Sequence, residues 1–475
     1  MHDGSSLAAR ARQNHAVRNR NATRHGNPTS AFMVALTLAV LSNWVPEAQV
    51  RAEDDEATAP ETQPERLLVG AQTTYIWQRK SALRSPYEGA NSLRPEAETG
   101  YTLSATLFLG ARPWRGTELF VNPEVIQAVN ISDLHGLGGM SNSENQKGGK
   151  QTPTLYLARA FVRQTLSLGG SDVVVDAGQN QFATVVGSRR LVFTAGNMAL
   201  IDVFDTNRYA HDGRTQFMNW SLLSHGAFDF AADTRGYTWG IAGEYYNDDW
   251  VFRLGRYLVP KESNGMSLDF NLFDHYGDNL EVEHTHRLHS LEGKVRALAF
   301  RNRESMGAFA DAVAAAAGSG APPDVGAVRR NQEKYGVGLA IEQALPYDGA
   351  VFVHGSWNDG RTETYSFAEI ERSLAVGATM KGMRWRRPGD SIGTAWVMNA
   401  LSQDHQIYLA QGGLGFLIGD GRINYRPEQL FEAYYSFQAF PGMWLSFDYQ
   451  RVANPAYNAD RGPVSFYGLR VHLEK

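Results

Sequence analysis

Stretches of about ten residues in which apolar and polar side chains alternate one for one recur along this chain, and that period confines most of it to strands. Tyr101, Leu103, Ala105, Leu107 and Leu109 share one face, and Thr102, Ser104, Thr106, Phe108 and Gly110 share the other. Similar ladders run over 67–79, 117–127, 154–168, 236–246, 332–344, 349–357, 428–438, 442–452 and 464–473. Weaker ones cover 189–196, 250–259, 279–288, 293–302, 364–380 and 391–400. A soluble sandwich would keep its second face continuously apolar, yet here that face carries Arg159, Arg163, Glu244, Asp448 and Gln450, which a dry core cannot hold unpaired. A wide barrel with a wet lumen and a lipid-facing belt suits both faces. The expected fold is therefore all-β, a transmembrane antiparallel β-barrel of about sixteen strands with long extracellular loops.

The only long apolar run is Ala31–Leu41, about half of the ~20 residues a membrane-crossing helix needs. A membrane role then falls to a closed barrel. Gly 47, Tyr 20, Phe 23 and Trp 10 suit a chain of many strands and turns, and Cys 0 excludes disulfides and cysteine nucleophiles. Arg10, Arg12, Arg18, Arg20 and Arg24 precede the apolar run and Val50-Arg51-Ala52 follows it, so residues 1–52 read as a secretory signal peptide. A disordered basic tail would explain the arginines but not the apolar core placed after them. Residues 53–66 (EDDEATAPETQPER) form a charged, flexible periplasmic leader, and 67–475 the barrel domain. Residues 1–52 hold six Arg and two acids, which leaves 39 basic and 48 acidic residues out of 45 and 50, a net of -9. Such a surface is a poor partner for nucleic acid.

Short and long connections alternate between the ladders. Arg112–Gly116 and Asn247–Asp249 are tight turns, whereas Gln127–Pro153 and Arg301–Arg330 are long. The second of these contains Ala312–Ala317, which reads as a short helix, either solvated in its loop or folded over the barrel mouth.

Several stretches are more particular than barrel physics requires. Tyr87–Leu93 reads YEGANSL, Asp202–Trp220 reads DVFDTNRYAHDGRTQFMNW, and Tyr365–Gly377 reads YSFAEIERSLAVG. The last third adds His405–Tyr425 (HQIYLAQGGLGFLIGDGRINY), Glu432-Ala433-Tyr434-Tyr435 and Tyr449–Val464 (YQRVANPAYNADRGPV). Together they resemble the carbohydrate-selective outer-membrane porins of the OprB family, from about residue 67 to 473. The resemblance implies passive diffusion of mono- or small oligosaccharides into the periplasm of a Gram-negative bacterium, with no catalysis and no cofactor. It implies outer-membrane lipid and the barrel assembly machinery as partners and leaves room for a homotrimer. One departure is the final His472-Leu473-Glu474-Lys475, where members of the class typically end on an aromatic residue.

If Tyr156, Ala158, Ala160, Val162, Leu166 and Leu168 face lipid, period 2 sends Arg159, Phe161 and Arg163 into the lumen. On the preceding strand Leu119, Val121 and Val125 face out, leaving Glu118, Phe120, Asn122 and Glu124 inside. Vicinal sugar hydroxyls are met by carboxylates, amides and guanidinium groups, and sugar C–H faces by aromatic rings. Asn122, Glu124, Arg159, Phe161 and Arg163 are thus candidate pore-lining contacts, though an unselective porin would also carry solvated groups there. Asp212, Arg214 and Trp220 belong to the long polar segment 202–220. That segment either folds inward and narrows the pore or stands outside with Trp220 anchored at the membrane interface.

Two other chemistries are weaker. Glu281 and Glu283 with His284 and His286 mimic a metal constellation, but on a strand the two pairs point to opposite faces. His354 and Ser356 share a face, faintly like outer-membrane phospholipases, without an evident orienting partner or oxyanion donor.

Overall fold

The computed structural model describes residues 65–365 and 369–475. The signal peptide 1–52 and all but the last two residues of the leader 53–66 lie outside the described residues. Among the described residues eighteen strands are formed: β1 (Leu67–Lys80), β2 (Glu98–Trp114), β3 (Thr117–Val129), β4 (Thr154–Val175), β5 (Thr184–Met198), β6 (Thr238–Asn247), β7 (Trp250–Tyr257), β8 (Val259–Pro260), β9 (Leu268–Asp269), β10 (Tyr276–Leu288), β11 (Leu291–Met306), β12 (Arg330–Leu345), β13 (Gly349–Asn358), β14 (Arg372–Gly382), β15 (Arg387–Ala400), β16 (Glu428–Phe440), β17 (Met443–Ala453) and β18 (Val464–Glu474). Sixteen of them close into one antiparallel barrel, each beside its neighbour in sequence, while β8 and β9 form a small hairpin within a loop. The seam is sealed by β1 against β18, from Gln72 opposite Glu474 to Lys80 opposite Phe466.

Closure removes both sheet edges, so every strand's backbone finds a partner without water. Leu107, Leu109, Leu119, Val121, Leu339, Phe447 and Leu469 are exposed on the outer face, as a lipid-facing belt requires. The short connections all lie at one end. At one of them Gly116 turns with φ +77°, and a Cβ there would meet the Thr165 carbonyl oxygen at 2.4 Å. The long connections gather at the other end, which faces outside the cell in barrels of this class.

Two strand readings need correction. The ladder over 364–380 becomes a strand only from Arg372, because Glu369 before it accepts the backbone N–H groups of Leu417 and Ile418 in another loop. In β4 the outward set is displaced by one above Arg159. The register against β3 shifts between Asn122 and Pro123, so that Asn122 faces Arg159 but Pro123 faces Leu157. The extra residue is a bulge. Leu155 and Leu157 therefore stand exposed on the outer face, and Tyr156 turns inward. The alanine tract forms the helix Phe309–Ala316, which packs over the mouth through Phe309, stacked on His405 at 4.2 Å and set against Tyr408 at 5.1 Å.

Candidate functional site

A barrel of sixteen strands is too wide to fill from its wall alone, and here loops fill it. Segment 199–237, between β5 and β6, runs inside. Its backbone groups, which would otherwise be buried without partners, are met by inward side chains of distant strands. Glu432 accepts the N–H groups of Met218 (2.5 Å) and Asn219 (3.1 Å). Glu281 accepts that of Asp205 (2.7 Å), and Glu342 that of Arg208 (2.9 Å). Arg470 donates to the carbonyls of Gly213 (2.9 Å) and Gln216 (2.8 Å). Phe217, 1% exposed, packs edge-on against Phe352 and Tyr434, with ring centroids at 5.7 and 5.0 Å. The β3–β4 loop also turns inward: Glu428 accepts the N–H groups of Gly138 and Gly139, each at 3.0 Å, and Asn142 donates to Thr102 at 3.1 Å.

The two loops meet at Arg214. Its guanidinium reaches Glu124 on the β3 wall (2.8 Å), Glu144 on the β3–β4 loop (2.9 Å) and the Thr106 hydroxyl (3.1 Å). Lys147 adds a second cation to Glu144 at 3.1 Å. Burial works against the Glu144 carboxylate, but the Arg214 and Lys147 charges outweigh it and hold its pKa below the usual carboxylate range. A few ångströms on, Arg159 holds Asp202 through two parallel bonds of 2.7 and 2.6 Å. Burial of Asp202 is likewise overcome by Arg159, and its pKa is lowered. Aromatic rings lie under these charges. Tyr237 carries Arg159 at 5.2 Å and Lys147 at 5.4 Å, and Arg235 lies 4.5 Å over Tyr156, whose hydroxyl donates to Glu124. Trp220 stacks on Phe230 at 6.0 Å and 22°.

These groups border a cavity of about 370 Å³ within the lumen. A second, of about 460 Å³, leads toward the short-turn end, and Arg214, Thr215 and Glu474 border both.

Of the residues singled out from the sequence, Arg159, Asp212, Arg214 and Trp220 border the first cavity. Trp220, 7% exposed, lies inside, so the inward alternative for its segment is the observed one. Asp212 accepts the Arg214 backbone N–H (2.9 Å) and the Thr215 hydroxyl (2.7 Å), shaping the turn that presents Arg214. Glu124 stands behind Arg214, fully buried. Asn122, Phe161 and Arg163 do face inward, but turn 176–183 folds beneath them. Asn122 donates to Asn180 at 2.8 Å, and Arg163 donates to the Asn180 carbonyl at 3.1 Å while lying over Phe120 and Phe161. Those three therefore sit in a packed wall away from the cavity. Sequence reasoning missed Glu144, Lys147, Asp202, Tyr237 and Arg235. Asp202 opens the particular stretch 202–220, a signal that could have drawn it in. The others sit in long loops with no periodicity to orient them.

The remaining constellations are used in holding loops. Glu281 and Glu283 face inward onto Arg253 (2.7 and 3.0 Å), whereas His284 stacks on Trp250 at 4.3 Å. Ser356 accepts the Ala227 N–H at 3.1 Å, and His354 lies 3.0 Å from the Asn207 amide nitrogen.

Comparison with known proteins agrees with this geometry. The family described as carbohydrate-selective porin, OprB family, matches residues 90–474. The high-pH structure of Pseudomonas putida OprB is similar with a TM-score of 0.65 at 14% identity, covering 86% of this chain and 94% of that one. Its low-pH structure gives a TM-score of 0.47 at 10% identity, with 86% and 93% covered. No curated protein matches the chain. A closed sixteen-stranded barrel narrowed by inward loops, matched by this family over nearly all its length, belongs to the carbohydrate-selective porins of the OprB family, passive sugar channels of the Gram-negative outer membrane.

Proposed function

We propose that sugars cross this barrel through the cavity beside Arg159 and Asp202 and leave past Arg214 toward the short-turn end. The observation that carries the reading is the charge balance of that cavity. Lys147, Arg159, Arg214 and Arg235 border it, and so do Glu144, Asp202, Asp212 and Glu474, four cations against four carboxylates. A site that is polar yet neutral overall offers paired donors and acceptors to hydroxyl groups without concentrating ions of either sign. Tyr237 and Trp220 supply flat faces for the C–H side of a sugar ring. Binding there is weak by design, since a tightly held sugar would not leave. The cavity volume suits one or two sugar rings.

Export by residues 1–52 belongs to the same reading and rests on the basic stretch, the apolar run and the small-residue site that follows it, while insertion by the barrel assembly machinery and room for a homotrimer rest on family membership.

Liposome swelling tests it. Proteoliposomes should swell with neutral mono- and disaccharides, more slowly with trisaccharides, and more slowly with a uronate than with its parent hexose. Equal rates for amino acids, salts and sugars of one size would make the channel unselective.

A further inference from the structure

The outer rim of the barrel at its long-loop end carries outward arginines in two states of charge pairing. Two on β7 and β11 are matched, Arg256 with Asp278 (2.6 Å) and Arg301 with Glu333 (2.5 Å). Across β17 and β1 two others are not. Arg79 and Arg451 are exposed there, and among the described residues neither has a carboxylate within ion-pair distance.

These two arginines are placed relative to the membrane by the aromatic residues beside and below them. Tyr75 and Trp77 on β1, Tyr101 on β2, Tyr449 on β17 and Tyr467 on β18 share the outward face, with Tyr75 against Tyr101 at 5.8 Å and Tyr449 against Tyr467 at 5.5 Å. Such a band marks the level where hydrocarbon gives way to headgroups. Arg79 stands two residues beyond Trp77, and Arg451 two beyond Tyr449, so both guanidinium groups reach the headgroup layer. They also converge. Arg79 pairs in register with Tyr467, and Arg451 with Ser465 on the same strand β18, which lies between them. From two strand spacings and a two-residue offset their Cα atoms are about 12 Å apart. Arg451 donates to the Ser465 hydroxyl at 2.9 Å, which holds its side chain toward β18 and Arg79.

We propose that Arg79 and Arg451 form a site for the phosphate of a phosphorylated lipid headgroup in the outward-facing leaflet. The guanidinium fork matches phosphate oxygens, and a membrane-facing position just above the aromatic band is one that lipid occupies. Each arginine at a membrane surface adds attraction to an anionic headgroup. At Arg256 and Arg301 the same attraction goes to the protein's own carboxylates, Asp278 and Glu333.

Native mass spectrometry of the refolded full barrel in detergent tests this, with bis-phosphorylated lipid A and its fully dephosphorylated form as probes. The wild type should retain the phosphorylated lipid and shed the other. R79Q/R451Q should lower retention roughly tenfold to thirtyfold, and R256Q, at an arginine already matched by Asp278, should leave it unchanged. Equal retention of both lipids by the wild type overturns the proposal, as does undiminished retention by the double variant with its heat-modifiable migration intact. So does a wild type that runs as a lipid-free oligomer dissociated by R79Q/R451Q, which would make the arginines a contact between copies. Should the double variant fold poorly, R79Q and R451Q singly must each weaken retention severalfold.

Discussion

Arg214 Nη2 lies 2.8 Å from Glu124 Oε2, and this contact joins a loop that has turned into the lumen to the wall of β3. Both partners are buried, and Glu144 approaches the same guanidinium nitrogen at 2.8 Å. The arginine is thus a bracket between two carboxylates on different elements.

Replacing it should loosen the plug. Arg214→Gln leaves Glu124 without its cation and Glu144 with Lys147 alone, and breaking a buried pair costs about 3–5 kcal/mol. The barrel wall does not depend on this contact, so the variant should still migrate as a folded barrel. Planar-bilayer recording should show higher salt conductance than the wild type. A conductance equal to the wild type's would mean the segment is held without the bracket.

Phe217 gives a second handle on the same segment. Its ring packs against Phe352 and Tyr434, and removing a buried phenyl group costs about 3–5 kcal/mol. Phe217→Ala should therefore produce noisier open-channel current, with conductance stepping between a wild-type level and a larger one. A quiet trace at the wild-type level would show that the backbone bonds to Glu432 and Arg470 hold the segment alone.

The loops over the mouth should respond to pH. His405 lies 3.0 Å from Glu371 and 3.7 Å from Glu369. Burial opposes its charged form, but Glu371 and Glu369 outweigh burial and raise its pKa above the ordinary 6.5. Burial also raises Glu369 above 4.5. Both groups hold a proton more firmly folded than unfolded. The His405 contribution is thus complete below pH 6.5 and lost as pH rises through its raised value, and that of Glu369 is complete below 4.5 and lost on the same upward path. Hydrogen exchange of residues 401–427, corrected for intrinsic rates, should be most protected in mild acid and less so above neutrality. His405→Gln should flatten the upper part of that dependence. Protection that grows with pH would contradict the assignment.

The wall was readable and the plug was not. Each barrel strand follows from period-2 alternation, because one face meets lipid and the other does not, and the signal is local. In β4 the signal broke at one residue. A bulge beside Pro123 turned Tyr156 inward, and alternation counted from Tyr156 to Leu168 cannot register an inserted residue. The inward path of 199–237 rests on contacts such as Met218 with Glu432 and Gly213 with Arg470, more than two hundred residues apart in the chain, which no local pattern encodes. Arg214 and Glu124 were each picked out by chemistry, but their pairing depends on that path. Arg163 looked equivalent to Arg159 from spacing, and only turn 176–183, folding beneath Arg163, sets them apart.

The central claim is that sugars pass in contact with Arg159 and Asp202, and hexose-induced block of salt current in a planar bilayer tests it most directly. R159A/D202A removes both charges at once and leaves neither buried alone. The variant should fold, conduct salt at least as well as the wild type, and require roughly thirtyfold more hexose for the same block, as two polar contacts of about 1 kcal/mol each are lost. A folded double variant whose hexose block is unchanged would place the sugar path elsewhere in the lumen and contradict the account.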